Sequence, residues 1–515
     1  MSFLFYDFET TGADPRCDRP MQFAALRTNG AFEPIAPPIT LYATLSPEVL
    51  PHPQAVLITG ILPQTSVSAG GTTEAEFAAR IHRELSVPGT CAAGFNSLRF
   101  DAELLRFMFW RNLRDAYAHE WQNGNSRFDV LDAARAFRLL RPEGISWPVD
   151  EAGKPTLRLT ALTKTNGISH DNAHDALSDV MATIEVARLL QAQSPKLFNY
   201  LLNLRSKTAV AEFVDAPERA AFVHISGRIA GEQGSASVFA NLGQVNGVGT
   251  QRLLWDLRFD PTQVLDESLD HLSARRFLRD ADATAGEIRL PIKLLHINRA
   301  PVVVSTAILN ERGIVDRMRL EPQAVQRHGQ LLSQHHREIA EKLHAVLAKQ
   351  TEFTAQDPEC ALYGGFIPAA DRSRLNAFNR LFDQALDAAP TAAGVMHTDK
   401  ITAALLRLHA HPWQDARVQT LVLRFIARAQ PALLNEAEHT QWQAWVHACL
   451  YPATDGQNPP PSGRPGLSFA QFFAAIDALQ KGQEPLAPLE QTLLAELRAW
   501  GLKQAELYPP EGSVV

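Results

Sequence analysis

Two acidic residues near the start of the chain, Asp7 and Glu9, have the spacing of a metal-binding pair. They lie in or beside a short apolar and aromatic run, residues 3–8, which is typical of a buried strand. Side chains two positions apart in a strand point to the same face, so we expect the carboxylates side by side. Neighbouring carboxylates repel each other unless a cation or a raised pKa compensates them. Two solvated acids on an edge strand are the alternative, but the surrounding phenylalanines make uncompensated carboxylates costly there.

A third acid, Asp101, closes the segment of residues 94–101. Asn96 or Ser97 can cap a helix in this segment, which places Asp101 in the first helical turn. An acid at that position also stabilises the helix dipole, so a structural role is sufficient to explain Asp101 when it is considered alone.

The fourth acid, Asp179, lies in the first turns of a helix predicted over residues 175–191. His174 precedes Asp179 by five residues, about 500° of helical rotation, so the two side chains do not share a helix face. We therefore place His174 at the helix entrance. A surface salt bridge of His174 with a neighbouring aspartate is the simpler alternative.

The four acids and the histidine together fit one reaction, the hydrolysis of a phosphodiester bond. Hydrolysis by two metal ions, roughly 3.5–4 Å apart, needs several converging carboxylates and a base for the attacking water. Hard oxygen ligands that leave room for water and phosphate favour Mg²⁺ or Mn²⁺ over Zn²⁺. The sequence therefore predicts a two-ion site with His174 as the base and with four carboxylates: Asp7, Glu9, Asp101 and Asp179.

Three segments of different character make up the chain. Residues 1–195 alternate predicted strands and helices, which indicates a mixed α/β layer. Residues 196–350 are rich in predicted strands and glycine turns, and they end in one predicted helix over 323–349, so we expect a small barrel or open sheet. Residues 351–515 have helical apolar spacing. The predicted elements of the first segment are strands 3–8, 22–27 and 90–95 and helices 101–113 and 175–191.

Length, composition and charge restrict the class of protein. The chain has 515 residues, of which 45% are apolar and 20% charged, which suits two to four folded domains. Its net charge of −7 gives no general attraction to a polyanion, so any nucleic-acid site must be a local basic groove. The four cysteines are widely separated, and no apolar run has the length of a membrane span. We therefore expect a cytoplasmic protein that is neither exported nor embedded in a membrane.

The spacing Asp7-x-Glu9, followed by Asp101 and then by His174-x4-Asp179, resembles that of the DEDDh exonucleases. Other segments resemble the bacterial exonuclease I family, strongly across residues 3–200 and again in the middle of the chain. These segments are residues 18–27, 55–60, 125–132, 140–148 and 291–298. The family pattern is followed least in the third segment, where a Gly/Pro-rich loop at 452–465 and a tail at 508–515 have no obvious counterpart.

The resemblance implies a fold and an activity. The implied fold class is α/β (α+β): a ribonuclease-H-like exonuclease domain at 1–195, a Src-homology-3-like β-barrel domain at 196–350 and an all-α C-terminal domain at 351–515. Together these domains would form a C-shaped clamp. The implied activity is 3′→5′ degradation of single-stranded DNA to 5′-mononucleotides in DNA repair and recombination, and a clamp implies processive digestion.

The resemblance also implies roles for individual residues. His174 would activate the water, Glu9 would contact the substrate, and Arg158 would touch the DNA phosphate near the scissile bond. The implied ligands of two Mg²⁺ ions, for which Mn²⁺ can substitute, are Asp7, Glu9, Asp101 and Asp179.

Aromatic residues and arginines are interspersed on and after the helix that begins at Asp101. Single-stranded DNA is usually held by aromatic rings along a positively charged track, and we expect Trp121 to contact the strand. The other members of this group are explained equally well as a groove wall or as core residues beneath a solvated basic helix. They are Trp110, Tyr117, Phe128, Arg106, Arg111, Arg114 and Arg127.

The resemblance further implies a protein partner, the acidic C-terminal tail of bacterial single-stranded DNA-binding protein. Arg141 is the matching basic position. A surface salt bridge is the commoner explanation for a lone arginine. Apart from this partner, we expect the protein to act as a monomer.

Two other functions are open from the sequence. A DEDDh exonuclease that trims RNA or proofreads for a polymerase would use the same acids, although such relatives are usually far shorter. An inactive single-stranded DNA-binding scaffold would keep the fold and lose one or more metal carboxylates. All four acids and His174 are present, which disfavours the scaffold.

Overall fold

The computed structural model describes most of the chain. The described ranges are 1–170, 174–217, 220–245, 247–279, 287–349, 356–387, 395–452, 466–482 and 485–510. Parts of two predicted features, the loop at 452–465 and the tail at 508–515, therefore lie outside the described residues. Among the helices of the described residues, none is both long and apolar enough to cross a membrane.

The strands and helices follow each other in three blocks along the chain. The first, second and third blocks are the described residues of 1–195, 196–350 and 351–515. The strands are β1 (Ser2–Thr10), β2 (Pro20–Thr28), β3 (Ile39–Tyr42), β4 (Thr90–Gly94), β5 (Ser126–Asp129), β6 (Ala221–Ile225), β7 (Ala236–Gln244), β8 (Gln251–Asp256), β9 (Ile292–His296) and β10 (Val302–Ser305). The helices are α1 (Pro53–Thr59), α2 (Pro63–Ser68), α3 (Glu74–Leu85), α4 (Asp101–Arg111), α5 (Val130–Leu140), α6 (Leu159–Thr165), α7 (Ala176–Gln193), α8 (Pro195–Asn203), α9 (Lys207–Val214), α10 (Gln263–Asp266), α11 (Leu269–Phe277), α12 (Ile314–Met318), α13 (Pro322–Gln334), α14 (His336–Ala348), α15 (Ala369–Asp387), α16 (Val395–His409), α17 (Ala416–Ala429), α18 (Glu436–Leu450), α19 (Phe469–Gln480) and α20 (Pro488–Leu507).

The first sheet has the strand order β3-β2-β1-β4-β5. β1 is antiparallel to β2 and parallel to β4, and β4 is parallel to β5. The carboxyl ends of β1, β4 and β5 therefore meet at one edge of the sheet. Residues that follow these three strands are brought together there, and this is the edge that carries the predicted acids.

Alternation along β1 divides its side chains between two cores. One face packs against α3 and α4 through Leu4, Tyr6 and Phe8. Phe3 and Phe5 pack on the other face, in the core that includes residues of α5 and α7. Asp7 and Glu9 continue this second face at the carboxyl end of the strand, as the period of two predicts.

The second sheet is antiparallel, with the strand order β10-β6-β7-β8-β9. Residues of β6, β7 and β8 share one core with residues of α13 and α14. The sequence predicted one helix over residues 323–349, and this prediction is wrong in detail, because the structure has two. α13 ends at Gln334 and α14 begins at His336, with His335 between them outside helical geometry.

The third block is helical from α15 to α20, and it contains no strand within its described residues, as the sequence predicted. It packs directly on the first block. Phe107 and Trp110 of α4 share a core with Phe378 and Phe425 of α15 and α17. Trp110 also donates its indole N–H to the carbonyl oxygen of Pro358, at 2.8 Å. The first and third blocks therefore have a common apolar core, although they are far apart in the sequence.

A buried group of charges lies beside this common core, centred on Glu359. Arg19 of the first block and Arg428 of α17 both donate to its carboxylate. Next to it, Arg424 donates to both carboxylate oxygens of Asp357, at 2.6 and 2.9 Å. We call Glu359, Asp357 and these three arginines the interface charge cluster. Each of its carboxylates is paired with a guanidinium, so the buried charge is compensated within the chain.

Candidate active site

Three carboxylates converge at the carboxyl end of β1. Asp7, Glu9 and Asp179 each offer an oxygen within 4.8 Å of the others. Glu9 is buried, and Asp7 and Asp179 are partly buried. Side chains from opposite ends of the first block therefore form one small acidic site. We call these three residues together with Asp101 the acid cluster.

Asp179 is brought to β1 by the way α7 begins. Asp175 is the N-cap of α7, and Gln22 of β2 donates from Nε2 to its carboxylate at 3.3 Å. The same Gln22 accepts the backbone N–H of Ala176 at 3.2 Å. Because Gln22 pairs with Glu9 in the sheet, the start of α7 is attached beside the acidic end of β1.

Asp101 is the first residue of α4 and is buried beside β1, where it accepts the backbone N–H of Phe8. The predicted side-chain cap at this helix is wrong. Phe100 occupies the N-cap position and makes no side-chain capping bond. Asn96 instead adopts a left-handed conformation, with φ of 63°, and Ser97 contributes its backbone carbonyl to the turn.

Asp129, at the end of β5, holds the turn that precedes Asp101. Its carboxylate accepts the backbone N–H groups of Asn96 at 2.9 Å and Leu98 at 3.2 Å, and it also caps α5 through Leu131. No role for Asp129 was predicted from the sequence. An acid directly before an apolar run with helical spacing, here residues 130–140, is an N-cap signal that could have identified it.

The electrostatics of the acid cluster are those of uncompensated negative charge. Burial, followed by the charges of Asp101, Glu9 and Asp179, raises the pKa of Asp7 well above its usual range. Burial and the charges of Asp179 and Asp101 raise the pKa of Glu9 to about 8. Burial also raises the pKa of Asp101. For Asp7 and Glu9 the main causes are burial or another acid, so a cation is needed to ionise them together at neutral pH.

The structure does not bring His174 to Asp179. His174 is exposed, its backbone is left-handed with φ of 69°, and its ring makes no hydrogen bond within the described part of the chain. His170 is the histidine that contacts the acid cluster, with Nε2 at 2.5 Å from Asp179 Oδ1. Residues 171–173, between the two histidines, lie outside the described ranges.

Arg158 and Trp121, the substrate-contacting candidates, are both exposed. Arg158 is the N-cap of α6, and its guanidinium forms no ion pair with any residue that the structure describes. Trp121 is 65% exposed, between two short helical turns. Both side chains are therefore available to a ligand.

Most of the aromatic residues and arginines on and after α4, which could have formed a groove wall, are buried, and the arginines are paired with carboxylates. Trp110 and Phe128 are core residues, at 7% and 5% exposure. Each of the four arginines forms an ion pair with a carboxylate: Arg106 and Arg127 with Glu120, Arg111 with Glu74, and Arg114 with Asp383. These arginines stabilise the fold, and Trp121 is the exposed tryptophan of the group.

Arg141 lies at the boundary between the first and second blocks. Its guanidinium donates to Glu311 at 2.6 Å, and both side chains are nearly half exposed. The surface salt bridge considered from the sequence is therefore present. It joins the end of α5 to the loop before α12, and an exposed pair of this kind is weak enough for an acidic ligand to replace Glu311.

The acid cluster fits a divalent cation. Its ligands are carboxylate oxygens, which suit hard divalent ions, and the pKa values of Asp7 and Glu9 are raised by burial and by the neighbouring acids, which a bound cation would offset. Three family models match the chain in succession: Exonuclease over residues 4–187, Exonuclease I SH3-like domain over 205–349 and Exonuclease I C-terminal domain over 356–504. The fold and the site thus define an exonuclease of the divalent-metal-dependent class.

Comparison with individual proteins identifies the family within this class of exonucleases. Exodeoxyribonuclease I of Escherichia coli K12 is 38% identical over 442 residues, which are 86% of this chain and 88% of that protein. The chain belongs to the exodeoxyribonuclease I family.

Solved structures of the family match almost the whole chain. Exonuclease I from Methylocaldum szegediense superposes with a TM-score of 0.85 at 36% identity. E. coli exonuclease I in complex with a dT13 oligonucleotide gives 0.83 at 33% identity, and an ExoI/SSB-Ct complex gives 0.83 at 32%. Each match covers 98% of this chain and 99% of the other.

Proposed function

We propose that this protein removes nucleotides one at a time from the 3′ end of single-stranded DNA and releases 5′-mononucleotides. The observation that carries the proposal is the convergence of Asp7, Glu9 and Asp179 within 4.8 Å, because phosphodiester hydrolysis needs carboxylates gathered at one point. Membership of the family supports the choice of substrate, since the E. coli relative has been solved with a dT13 oligonucleotide.

We propose two Mg²⁺ ions as the metal, with Mn²⁺ able to replace them. When bound, such ions stabilise the negative charge that develops on the phosphate. Asp7, Glu9 and Asp179 are the carboxylates that would hold one ion, and Asp101 would complete the ligand set for the second. Glu9, at the end of β1, is also the acid of the set that we expect to face the substrate.

His174 is our candidate for the base that takes the proton from the attacking water. It directly precedes Asp175, the N-cap of α7, and α7 carries Asp179 in its first turn. Within the described residues no hydrogen bond holds the ring in its outward position. We therefore propose that the ring turns towards the acid cluster when a DNA strand is bound.

A basic surface that was not predicted from the sequence supports binding of the DNA backbone. Arg99 and Arg135 of the first block lie against Gly227 of the second block. Lys293 of β9 is close enough to Arg228 and Arg99 that, after burial, their charges lower its pKa to about 8. Four cations on two blocks therefore repel one another, and phosphate groups between them would relieve that repulsion.

Few acids offset this basic surface. Asp132 accepts from Arg99 at 3.2 Å and from Arg135 at 2.5 Å, and Asp256 is the second acid that acts on Lys293. We propose that this surface binds backbone phosphates. Arg158 would contact the phosphate at the scissile bond, and Trp121 would stack on a base.

We propose that Arg141 takes part in binding the C-terminal tail of single-stranded DNA-binding protein. The ExoI/SSB-Ct complex supports the partner. The exposed pairing of Arg141 with Glu311 supports the residue, because an acidic tail can take the place of Glu311 at little energetic cost.

The arrangement of the chain is part of the same proposal. We divide it into an exonuclease domain at 1–195, an SH3-like domain at 196–350 and a helical domain at 351–515. We propose a monomer that surrounds the strand, digests it processively and acts on DNA in the cytoplasm. The core shared by α4, α15 and α17 supports a fixed relation between the first and third domains.

The test is the digestion of end-labelled oligonucleotides with Mg²⁺ or with a chelator. We expect mononucleotides from single-stranded DNA in Mg²⁺, far less from a duplex, and none in chelator. Asp7→Ala and Asp179→Ala should abolish release, whereas Glu33→Ala should not, because Glu33 is exposed near the opposite end of the sheet. Full activity in both acid variants would disprove the assignment. Faster digestion of RNA than of DNA would instead favour the RNA-trimming alternative, since the 2′-hydroxyl separates the two substrates.

A further inference from the structure

His170 is held on both sides of its ring. Its Nε2 lies 2.5 Å from Asp179 Oδ1, and its Nδ1 lies 3.3 Å from Thr163 Oγ1 on α6. The His170 side chain is only 4% exposed, whereas the Asp179 side chain is 18% exposed. The ring therefore bridges a buried hydroxyl and the more accessible end of the acid cluster.

Thr163 is itself fixed in position. Its Oγ1 lies 2.9 Å from the carbonyl oxygen of Leu159 and 3.0 Å from that of Thr160, one turn earlier in the same helix. Thr163 is fully buried. The orientation of His170 is thus set by the backbone of α6, the helix that Arg158 caps.

We propose that His170 is a positioning residue for the divalent cation: it holds one carboxylate oxygen of Asp179 so that the other remains directed towards Asp7 and Glu9. The inference rests on the proposed function, since it concerns the cation that this function requires. It assigns His170 no contact with the substrate and no part in proton transfer, which stays with His174.

The physical reason is repulsion within the cluster. Asp179 is one of the charges that raise the pKa of Asp7 and Glu9, so it is itself repelled by them. Being partly exposed, it could rotate towards water and leave the site. A hydrogen bond from a fixed ring opposes this rotation. Partners of this kind, which orient a metal ligand without touching the metal, typically contribute about 10–100-fold to metal affinity.

Binding of Mn²⁺ alone to the metal-free full-length protein tests the inference without any catalytic readout. Free Mn²⁺ is measured by electron paramagnetic resonance during titration. We expect His170→Ala to weaken binding by about 10–100-fold. His170→Gln should recover part of the loss, because its amide nitrogen can reach the position of Nε2. Thr163→Val should shift binding in the same direction by less, and Thr163→Ser should retain it.

A matched control separates positioning from general stability. His82 is another buried histidine of the same domain; it packs on Phe109, and no member of the acid cluster is among the charges that act on it. His82→Ala is expected to lower the melting temperature without changing Mn²⁺ affinity. In digestion assays, His170→Ala should need more Mg²⁺ for half-maximal rate and approach the wild-type rate at saturating Mg²⁺.

Two results would overturn the inference. One is wild-type Mn²⁺ affinity in His170→Ala, and the other is an equal loss of affinity in His170→Ala, His170→Gln and His82→Ala. These results are distinct from failure of the proposed function. Suppose that the His170 variants bind Mn²⁺ more weakly than the wild type, as predicted, but the wild type digests no DNA. This result would contradict the proposed function and support the positioning role of His170.

Discussion

Two groups of buried carboxylates in this protein have opposite electrostatics. In the acid cluster, burial and neighbouring acids raise the pKa of Glu9 to about 8. In the interface charge cluster, burial would raise the pKa of Glu359, but Arg428, Arg19 and Arg424 hold it well below its usual range. Burial is similar in the two places, and the difference is the presence of guanidinium groups.

This difference in neighbouring charges distinguishes carboxylates that stabilise the fold from carboxylates that can bind a cation. Glu359 is satisfied within the chain, and its arginines come from two blocks that it thereby holds together. Among the described residues no lysine or arginine forms an ion pair with the acid cluster, an arrangement that is unfavourable for folding and typical of a site where a ligand binds. A buried carboxylate alone therefore indicates neither role, and the sign of its neighbours decides between them.

The largest contrast is expected between the variants Asp179→Ala and Glu359→Ala. Removing Glu359 takes away the buried carboxylate that Arg19 and Arg428 share, and it should lower the free energy of unfolding by about 3–5 kcal/mol. Removing Asp179 relieves repulsion within the acid cluster but also takes away the hydrogen-bond partner of His170, so stability in EDTA should change little, although nuclease activity is lost. Urea unfolding of both variants and the wild type measures this. Equal destabilisation by the two substitutions would show that the clusters do not differ as described.

The pH dependence of stability should have opposite signs for the two clusters. Glu9 is protonated more readily in the folded state, where its pKa is about 8, than in the unfolded state, where it is 4.5. Its contribution is therefore complete below about pH 4.5 and is lost as the pH rises towards 8, by about 1.4 kcal/mol for each pH unit between these two values. Glu359 has a lowered pKa, so its contribution is complete above pH 4.5 and is lost on acidification.

Thermal unfolding in EDTA between pH 3 and pH 9 checks these signs. Glu9→Gln should reduce the loss of stability on the alkaline side, to which Asp7 and Asp101 also contribute, and leave the acid side unchanged. Mg²⁺ should have a similar effect in the wild type, because the ion supplies the missing charge. A wild-type melting temperature that rises steadily from pH 5 to pH 8 in EDTA would contradict the raised pKa of Glu9.

The smallest expected effect is that of replacing Trp121. Two tryptophans show the same contrast between a structural and a ligand-binding role. Trp445 lies under Arg424, 3.7 Å from its guanidinium carbon, inside the interface charge cluster. Trp121 is exposed. Trp121→Ala should weaken binding of a single-stranded oligonucleotide by about 1–3 kcal/mol, measured in EDTA by fluorescence anisotropy, with little change in stability. Trp121→Phe should keep most of the affinity. Unchanged affinity in Trp121→Ala would remove Trp121 from the DNA track.

Much of the fold was predictable because local patterns determine local structure. The period of two in β1 placed Asp7 and Glu9 on one face, and the helices with clear apolar spacing were found with small errors at their ends. The errors arose where a residue distant in the sequence contacts the segment and changes its local conformation. Asn96 or Ser97 was expected to cap α4, but Asp129 of the adjacent strand accepts the backbone N–H groups of Asn96 and Leu98 and holds this segment in a turn instead.

The candidate site was predicted in part for the same reason. Residue types and their order selected four acids as candidates, and Asp7, Glu9 and Asp179 lie within 4.8 Å of one another at one edge of the sheet. The spacing did not distinguish His170 from His174, since either can reach the start of α7. The arginines after α4 suggested a groove, whereas their carboxylate partners lie in distant segments such as Glu74 and Asp383.

The sequence by itself indicated many of the strands and helices, the change from a mixed to a strand-rich to a helical segment, and four candidate acids, because residue types and short-range spacing are visible in it. Only the tertiary structure decided which charges are compensated. An arginine pairs with a carboxylate hundreds of residues away, and a carboxylate without such a partner looks the same in the sequence. The physical reason is that electrostatic energy depends on distance in space, which the fold sets.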